Sequence, residues 1–218
     1  PILLDELLDA RLLTAEPDWP AFETALRAQL DELGDDTERQ MDTMRDAHHA
    51  QVFRLLARDL AGELSVEHLS DHLSALADVM LRVALDFCWS KLNRRHCEQP
   101  RFAVIAYGKL GGKELGYASD LDVIFLFDDP HESAPETYAR LAQRLLTWLS
   151  SHTSAGILFE TDTRLRPNGE SGLLVSSVEA FRDYQQKSAW VWEHQALTRA
   201  RFSAGNAAVG EQFEAIRR

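Results

Sequence analysis

Asp120-Leu121-Asp122 sets two carboxylates one residue apart. On a β-strand that spacing aims both at the same side, because successive side chains alternate faces. Paired oxygen ligands suit a hard divalent cation such as Mg²⁺, which binds through one or two carboxylates plus substrate phosphates. Upstream the chain reads Arg101-Phe-Ala-Val-Ile-Ala-Tyr107, then Gly108-Lys-Leu-Gly-Gly112, then Lys113-Glu-Leu-Gly-Tyr-Ala-Ser119. A short buried strand is therefore predicted to enter a glycine-rich turn whose backbone can approach a phosphate closely. Metal and phosphates held side by side make a nucleotide site.

A third acidic group would complete such a site. The segment Gly156-Ile-Leu-Phe-Glu-Thr-Asp-Thr-Arg-Leu-Arg166 alternates like a strand, with Leu158, Glu160, Asp162, Arg164 and Arg166 on one face. That face is too charged for a core. If this strand lies beside Asp120–Asp122, Asp162 joins the cation site while Arg164 and Arg166 meet a triphosphate, whose oxygens match guanidinium geometry.

The elements that must position these groups fall into a helical front and a mixed α/β core, an α+β arrangement. Phe22, Leu26, Leu30 and Leu33 repeat at helical spacing after Asp18-Trp-Pro20. A second helix is expected over about 37–61, and a longer one after Ser65 with Leu69, Leu73, Leu76, Met80, Ala84 and Phe87. These three helices predict a bundle over residues 1–99. After Pro100 the pattern turns to strand, turn and strand, so a catalytic core is placed at 100–218. Glu136–His152 reads as a helix linking the two acidic strands and Ser171–Val175 as a short strand. Ser176 with Glu179 reads as a capping box. Val178–Arg201 is expected to be helical with a break near Ser188, followed by a last helix around Ala207–Arg218.

Gly108-Lys109, followed after ten residues by Asp120-Leu-Asp122, resembles the glycine-turn and D-x-D signature of nucleotidyltransferases related to DNA polymerase β. Asp162 stands in the position of their third carboxylate. Lys109 stands where that pattern often has Ser, so either its side chain or only the backbone of the turn meets phosphate. The longer strings Tyr107–Asp122, Asp162–Val175 and Ala189–Arg201 are similar to the bifunctional glutamine synthetase adenylyltransferase/adenylyl-removing enzymes. The resemblance covers essentially the whole chain. It implies ATP as substrate and Mg²⁺ bound by Asp120, Asp122 and Asp162. It also implies a nucleotide held by Gly108, Lys109, Gly111, Gly112, Ser119, Arg164 and Arg166. The reaction implied is transfer of AMP to a tyrosine of glutamine synthetase, with a PII-type signal protein as a further partner. The opening Pro1–Leu8 and the Trp190–His194 stretch look more like the adding half of that family. The removing half, and a domain that binds nucleotide without turnover, remain as alternatives.

Charge and composition narrow the rest. The net charge is −12, and residues 1–50 hold 13 acidic against 4 basic residues, while 151–218 hold 8 of each. Nucleic-acid binding is disfavoured, since phosphate-backbone affinity rests on Lys and Arg. No apolar run approaches the roughly 18 residues of a membrane span. With only Cys88 and Cys97, one core thiol and one surface thiol in a reducing, cytoplasmic setting are expected. His68 and His72 share a helix face but lack a third zinc ligand, and His48-His49 is expected to be a solvated pair. Trp190 and Trp192 are expected to pack. Glu193 and Arg199 read as a helix-surface salt bridge, with lining of the cleft as the alternative.

Overall fold

A computed structural model of the chain describes residues 15–218, so the Pro1–Leu8 stretch lies outside the described residues. Among the described residues three helices come first: α1 over Trp19–Glu32, α2 over Thr37–Leu60 and α3 over Val66–Ser90. Each begins at a side chain that accepts a backbone N–H of its first turn, from Asp18, Asp36 and Ser65 respectively. Strand β1 follows at Phe102–Ala106, then the one-turn helix α4 at Gly108–Gly111, β2 at Leu121–Phe127 and helix α5 at Ala134–Ser150. Beyond these come β3 at Thr161–Asp162, β4 at Val175–Ser177, α6 at Val178–Lys187, α7 at Val191–Leu197, β5 at Arg201–Gly205 and α8 at Ala207–Arg217.

The five strands form one mixed sheet. β1 lies between β2 and β5 and is antiparallel to both, while the free edge of β2 takes β3 and then β4, both parallel to it. Alternation along β1 and β2 sorts the side chains. Phe102, Val104, Val123, Phe125 and Phe127 join the core built with α3 and α5, whereas Ala103, Ile105, Ile124 and Leu126 join Val178, Phe181, Val209 and Phe213 on the opposite face. Asp122 belongs by alternation to the second face, at the end where β2 begins. The first of these cores also takes in Leu26, Leu30, Met44 and Leu55, so the helical front and the sheet share one apolar cluster. Among the described residues no helix is long and apolar enough to cross a membrane.

One buried cation ties the front to the segment that delivers Asp162. Arg45 of α2 is fully buried. It donates to the carbonyls of Met41, Trp148, Ser151 and Gly156 at 2.7–2.9 Å. Replacing it strands several buried acceptors at once, and each unpaired acceptor costs about 1–3 kcal/mol. Arg45→Met is expected to lose about 3 kcal/mol or more of unfolding free energy, read as a lower urea midpoint at unchanged slope.

Several expectations are corrected. The helix expected to run to Arg201 ends at Leu197, and Arg201 instead opens strand β5, held by pairing with β1. The strand expected at Ser171–Val175 lies at Val175–Ser177, with a 3₁₀ turn at Gly169–Ser171 before it. The helix cap is Ser177, whose hydroxyl accepts from Ala180 N–H, rather than Ser176. His48 is not solvated: its ring meets Phe159 edge-on at 4.7 Å, and burial pushes its pKa down to about 3. Trp190 and Trp192 do not pack, being 71% and 54% exposed. Cys88 is the core thiol expected, its pKa pushed up to about 12 by burial, while Cys97 is half-buried rather than on the open surface.

Candidate active site

The site is assembled at the start of β2. Tyr107 N–H donates to the Asp122 carbonyl at 2.8 Å on one side of the strand, and Leu121 N–H donates to the Glu160 carbonyl at 2.9 Å on the other. The parallel pairing of β2 with β3 puts Asp122 in register with Asp162. One carboxylate oxygen from each of Asp120, Asp122 and Asp162 lies within 4.8 Å of the others.

The electrostatics follow from that crowding. Burial, and then repulsion from Asp120 and Asp162, hold the Asp122 carboxyl above the usual carboxylate range, while Lys109 and Arg164 oppose the shift. Asp162 is held below that range, chiefly because Arg164 donates to it. The guanidinium meets the carboxylate at 2.5 and 2.8 Å, and Arg164 N–H adds a backbone hydrogen bond at 2.8 Å. Three convergent carboxylates, one of them resisting ionisation, are the donor set a hard divalent cation relieves. The residues therefore fit Mg²⁺.

The glycine turn is pressed against this cluster. Gly108 has φ +50°, and a Cβ there would lie 2.0 Å from Asp122 Oδ2. A Cβ on Gly111 would lie 2.5 Å from the Arg199 carbonyl and 2.8 Å from that of Ala106. Lys109 is exposed on α4. Ser119 is turned inward on its own loop, where its hydroxyl accepts from Gly116 N–H at 3.0 Å.

The segment around Asp162 departs from the extended strand expected over 156–166, since only Thr161–Asp162 pairs. The Asp162 side chain accepts Arg164 N–H two residues on, a local turn that ends the strand. Leu158 is buried. Arg166 does not stand beside Arg164 on a strand face. Its guanidinium is tied to the carbonyls of Thr163, Glu170 and Gly172 and to the Thr163 hydroxyl, closing the loop that follows Asp162. A cleft of about 470 Å³ is lined by Asp120, Asp162, Thr163, Arg164, Arg166 and Glu170, among others. Glu170, in this wall, carried no periodic signal in the sequence.

Two residues left open by the sequence are also resolved. Glu193 and Arg199 do not pair. Glu193 is buried and accepts from Tyr184 Oη and Trp190 N–H, each at 2.8 Å. Arg199 pairs with Glu114 and lies over Gly112, beside the turn. His72 faces Glu16 at 3.4 Å, and the pair His68 and His72 belongs to no three-ligand cluster among the described residues.

Fold and site together define an α+β protein that gathers three carboxylates on a mixed sheet beside a glycine turn. The sequence profile of the glutamate-ammonia ligase adenylyltransferase family matches residues 1–216, and the chain belongs to that family. It is 69% identical over 217 residues to the bifunctional glutamine synthetase adenylyltransferase/adenylyl-removing enzyme of Aromatoleum aromaticum, covering all of this chain and 23% of that protein. Proteins of the same name from Chromobacterium violaceum and Ralstonia nicotianae are 63% and 59% identical, again over the whole chain and 24% and 23% of their own lengths. The chain thus spans about a quarter of the length of these relatives.

Proposed function

We propose that this chain transfers AMP from ATP to a tyrosine of glutamine synthetase in a Mg²⁺-dependent reaction, as the adding half of its family. The observation that carries the reading is the convergence of Asp120, Asp122 and Asp162 within 4.8 Å beside Gly108. Bound Mg²⁺ supplies neutralisation of phosphate charge and a lower cost for deprotonating the acceptor phenol. The chain's residues supply the positioning. Gly108–Gly112, with Lys109 and Ser119, holds the nucleotide against the carboxylates. Arg164 faces the phosphates across the cleft, and Arg166, tied to the carbonyls of its own loop, lines the wall beside them.

Arg164 has a second consequence. A triphosphate competes with Asp162 for its guanidinium, and as Arg164 shifts, Asp162 loses the partner that holds its carboxyl low. Asp162 is then free either to hold the cation or to accept the proton of a phenol, whose reference pKa is about 10. In-line attack on the α-phosphorus then requires mainly alignment and charge neutralisation. A PII-type signal protein is proposed as a further partner on the family resemblance.

The test is to supply α-labelled ATP and glutamine synthetase. Label on a synthetase tyrosine, lost on chelation and restored by Mg²⁺, is the expected result. Release of ADP from AMP-modified synthetase and phosphate, without labelling by ATP, would instead assign the removing half. Nucleotide binding with neither reaction would leave a non-catalytic domain.

A further inference from the structure

A second cluster of ligand-type side chains lies at the opposite end of β1 and β2 from the acidic site. His96 and Cys97 sit in the loop between α3 and β1, and Asp129 sits just after β2. One donor atom from each lies within 4.8 Å of the other two. His96 and Asp129 are almost closed to solvent, with side chains 8% and 6% exposed. His96 Nε2 meets Asp129 Oδ2 at 2.7 Å.

The surroundings orient these groups. Tyr138 Oη donates to Asp129 Oδ2 at 2.7 Å and itself accepts Arg101 N–H at 3.0 Å, while Asp129 Oδ1 accepts His131 N–H at 3.0 Å. The His131 ring stacks on His96 at 4.4 Å and 14°, which fixes the imidazole plane. Cys97 Sγ points at the Gln99 carbonyl at 3.1 Å and lies 4.0 Å from Tyr138 Oη. A carboxylate held by a phenol and an imidazole held by a stacked ring match the supported ligands of metal sites.

One atom in the cluster lacks a partner. His96 Nδ1 is buried with no hydrogen bond. Whichever ring nitrogen carries the proton, this pairing leaves a polar atom of a closed side chain unsatisfied, a cost that an ion bound to the ring would relieve.

We propose that His96, Cys97 and Asp129 form a second metal site, selective for a borderline divalent ion of the zinc class. Thiolate and imidazole exclude Mg²⁺, a hard cation, so the two sites differ in chemistry as well as place. In a tetrahedral site, bonds of about 2.0–2.3 Å put ligand atoms roughly 3.3–3.8 Å apart. His96 Nε2 and Asp129 Oδ2, at 2.7 Å, would open by about 0.6 Å to admit an ion between them, and the other ligand atoms, within 4.8 Å of one another, would close by at most about 1.5 Å. On binding, the Cys97 thiol loses its proton to solvent and the sulfur forms the metal bond, leaving the fourth position to water. Such a clip joins the loop leaving the helical front to the end of β2, and so braces the strand that begins at the acidic site.

Metal-stripped, tag-free protein is titrated with Co²⁺. One thiolate-bound ion per chain is expected, read from thiolate-to-cobalt charge-transfer absorption that Zn²⁺ abolishes and Mg²⁺ does not. Cys97→Ser is expected to remove that absorption and weaken Zn²⁺ binding roughly 100-fold or more, beyond the 10–100-fold that loss of an orienting partner costs. Asp122→Asn should keep both signals, which separates this site from the acidic one. A measurement on the unsubstituted chain guards against misfolded variants: bound Zn²⁺ should protect Cys97 from alkylation, because Cys88 is buried. No charge-transfer band, equal Zn²⁺ affinity in Cys97→Ser, or alkylation unchanged by Zn²⁺ would each overturn the assignment.

Discussion

Asp122→Asn is expected to lower AMP transfer about 1,000-fold while leaving the fold intact. Asn has the same shape, so the packing of β2 and the backbone bonds to Tyr107 and Glu160 stay in place. What disappears is one of three negative charges within 4.8 Å of one another. Charge stabilisation by a bound cation is worth several kcal/mol, and a loss of about 4 kcal/mol converts to about 1,000-fold. The assay follows label from α-labelled ATP onto glutamine synthetase, in the 218-residue chain and at the matching position of a full-length relative. Labelling within tenfold of the unsubstituted protein would refute the role given to Asp122.

A pH measurement strengthens the same test. Burial and the neighbouring carboxylates raise the Asp122 pKa, and a cation binds its ionised form. Mg²⁺ affinity is therefore expected to fall as pH drops through a value above the ordinary carboxylate range. Asp120→Asn removes one repelling charge and should move that loss to lower pH. An isothermal titration series across acidic pH reads both effects.

The convergence of the three carboxylates was legible because it is encoded by local spacing. Asp120 and Asp122 share a side by alternation alone, and the glycines at 108, 111 and 112 announce a tight turn. The three front helices were readable for a similar reason, since an apolar repeat survives at every turn. Strand β5 was not readable. Arg201-Phe-Ser-Ala-Gly205 is short, its buried members Ser203 and Ala204 are small, and it pairs with residues about a hundred positions away. Its identity comes from the partner strand, not from its own propensity.

The Asp162 segment shows the opposite error, an alternation longer than the strand. Arg164 and Arg166 continue the pattern, but each is diverted by a hydrogen bond that periodicity does not encode. Arg164 turns back onto Asp162, and Arg166 gathers carbonyls of its own loop. Trp190 departs because its backbone rather than its ring does the local work, donating to Glu193 at the start of α7.

Gly108→Ala is the substitution in which geometry and chemistry act together. Left-handed backbone at φ +50° costs a residue with a Cβ about 1–2 kcal/mol, and that cost alone would be a modest loss of stability. The larger effect comes from where the methyl group would go. It would stand 2.0 Å from Asp122 Oδ2, so the carboxylate must move. A displacement near 1 Å at a reacting centre can cost about 100-fold. Transfer activity and Mg²⁺ affinity are expected to fall together by that order. Gly34→Ala provides the control, because Gly34 has φ +59° and a methyl group there would meet nothing within 4 Å. It carries the same backbone strain without the collision, so its stability should drop by a similar amount while transfer persists. Equal activity in the two variants would mean that Gly108 serves only as a bend. A selective loss in Gly108→Ala would establish that glycine is required there to make room for the carboxylate.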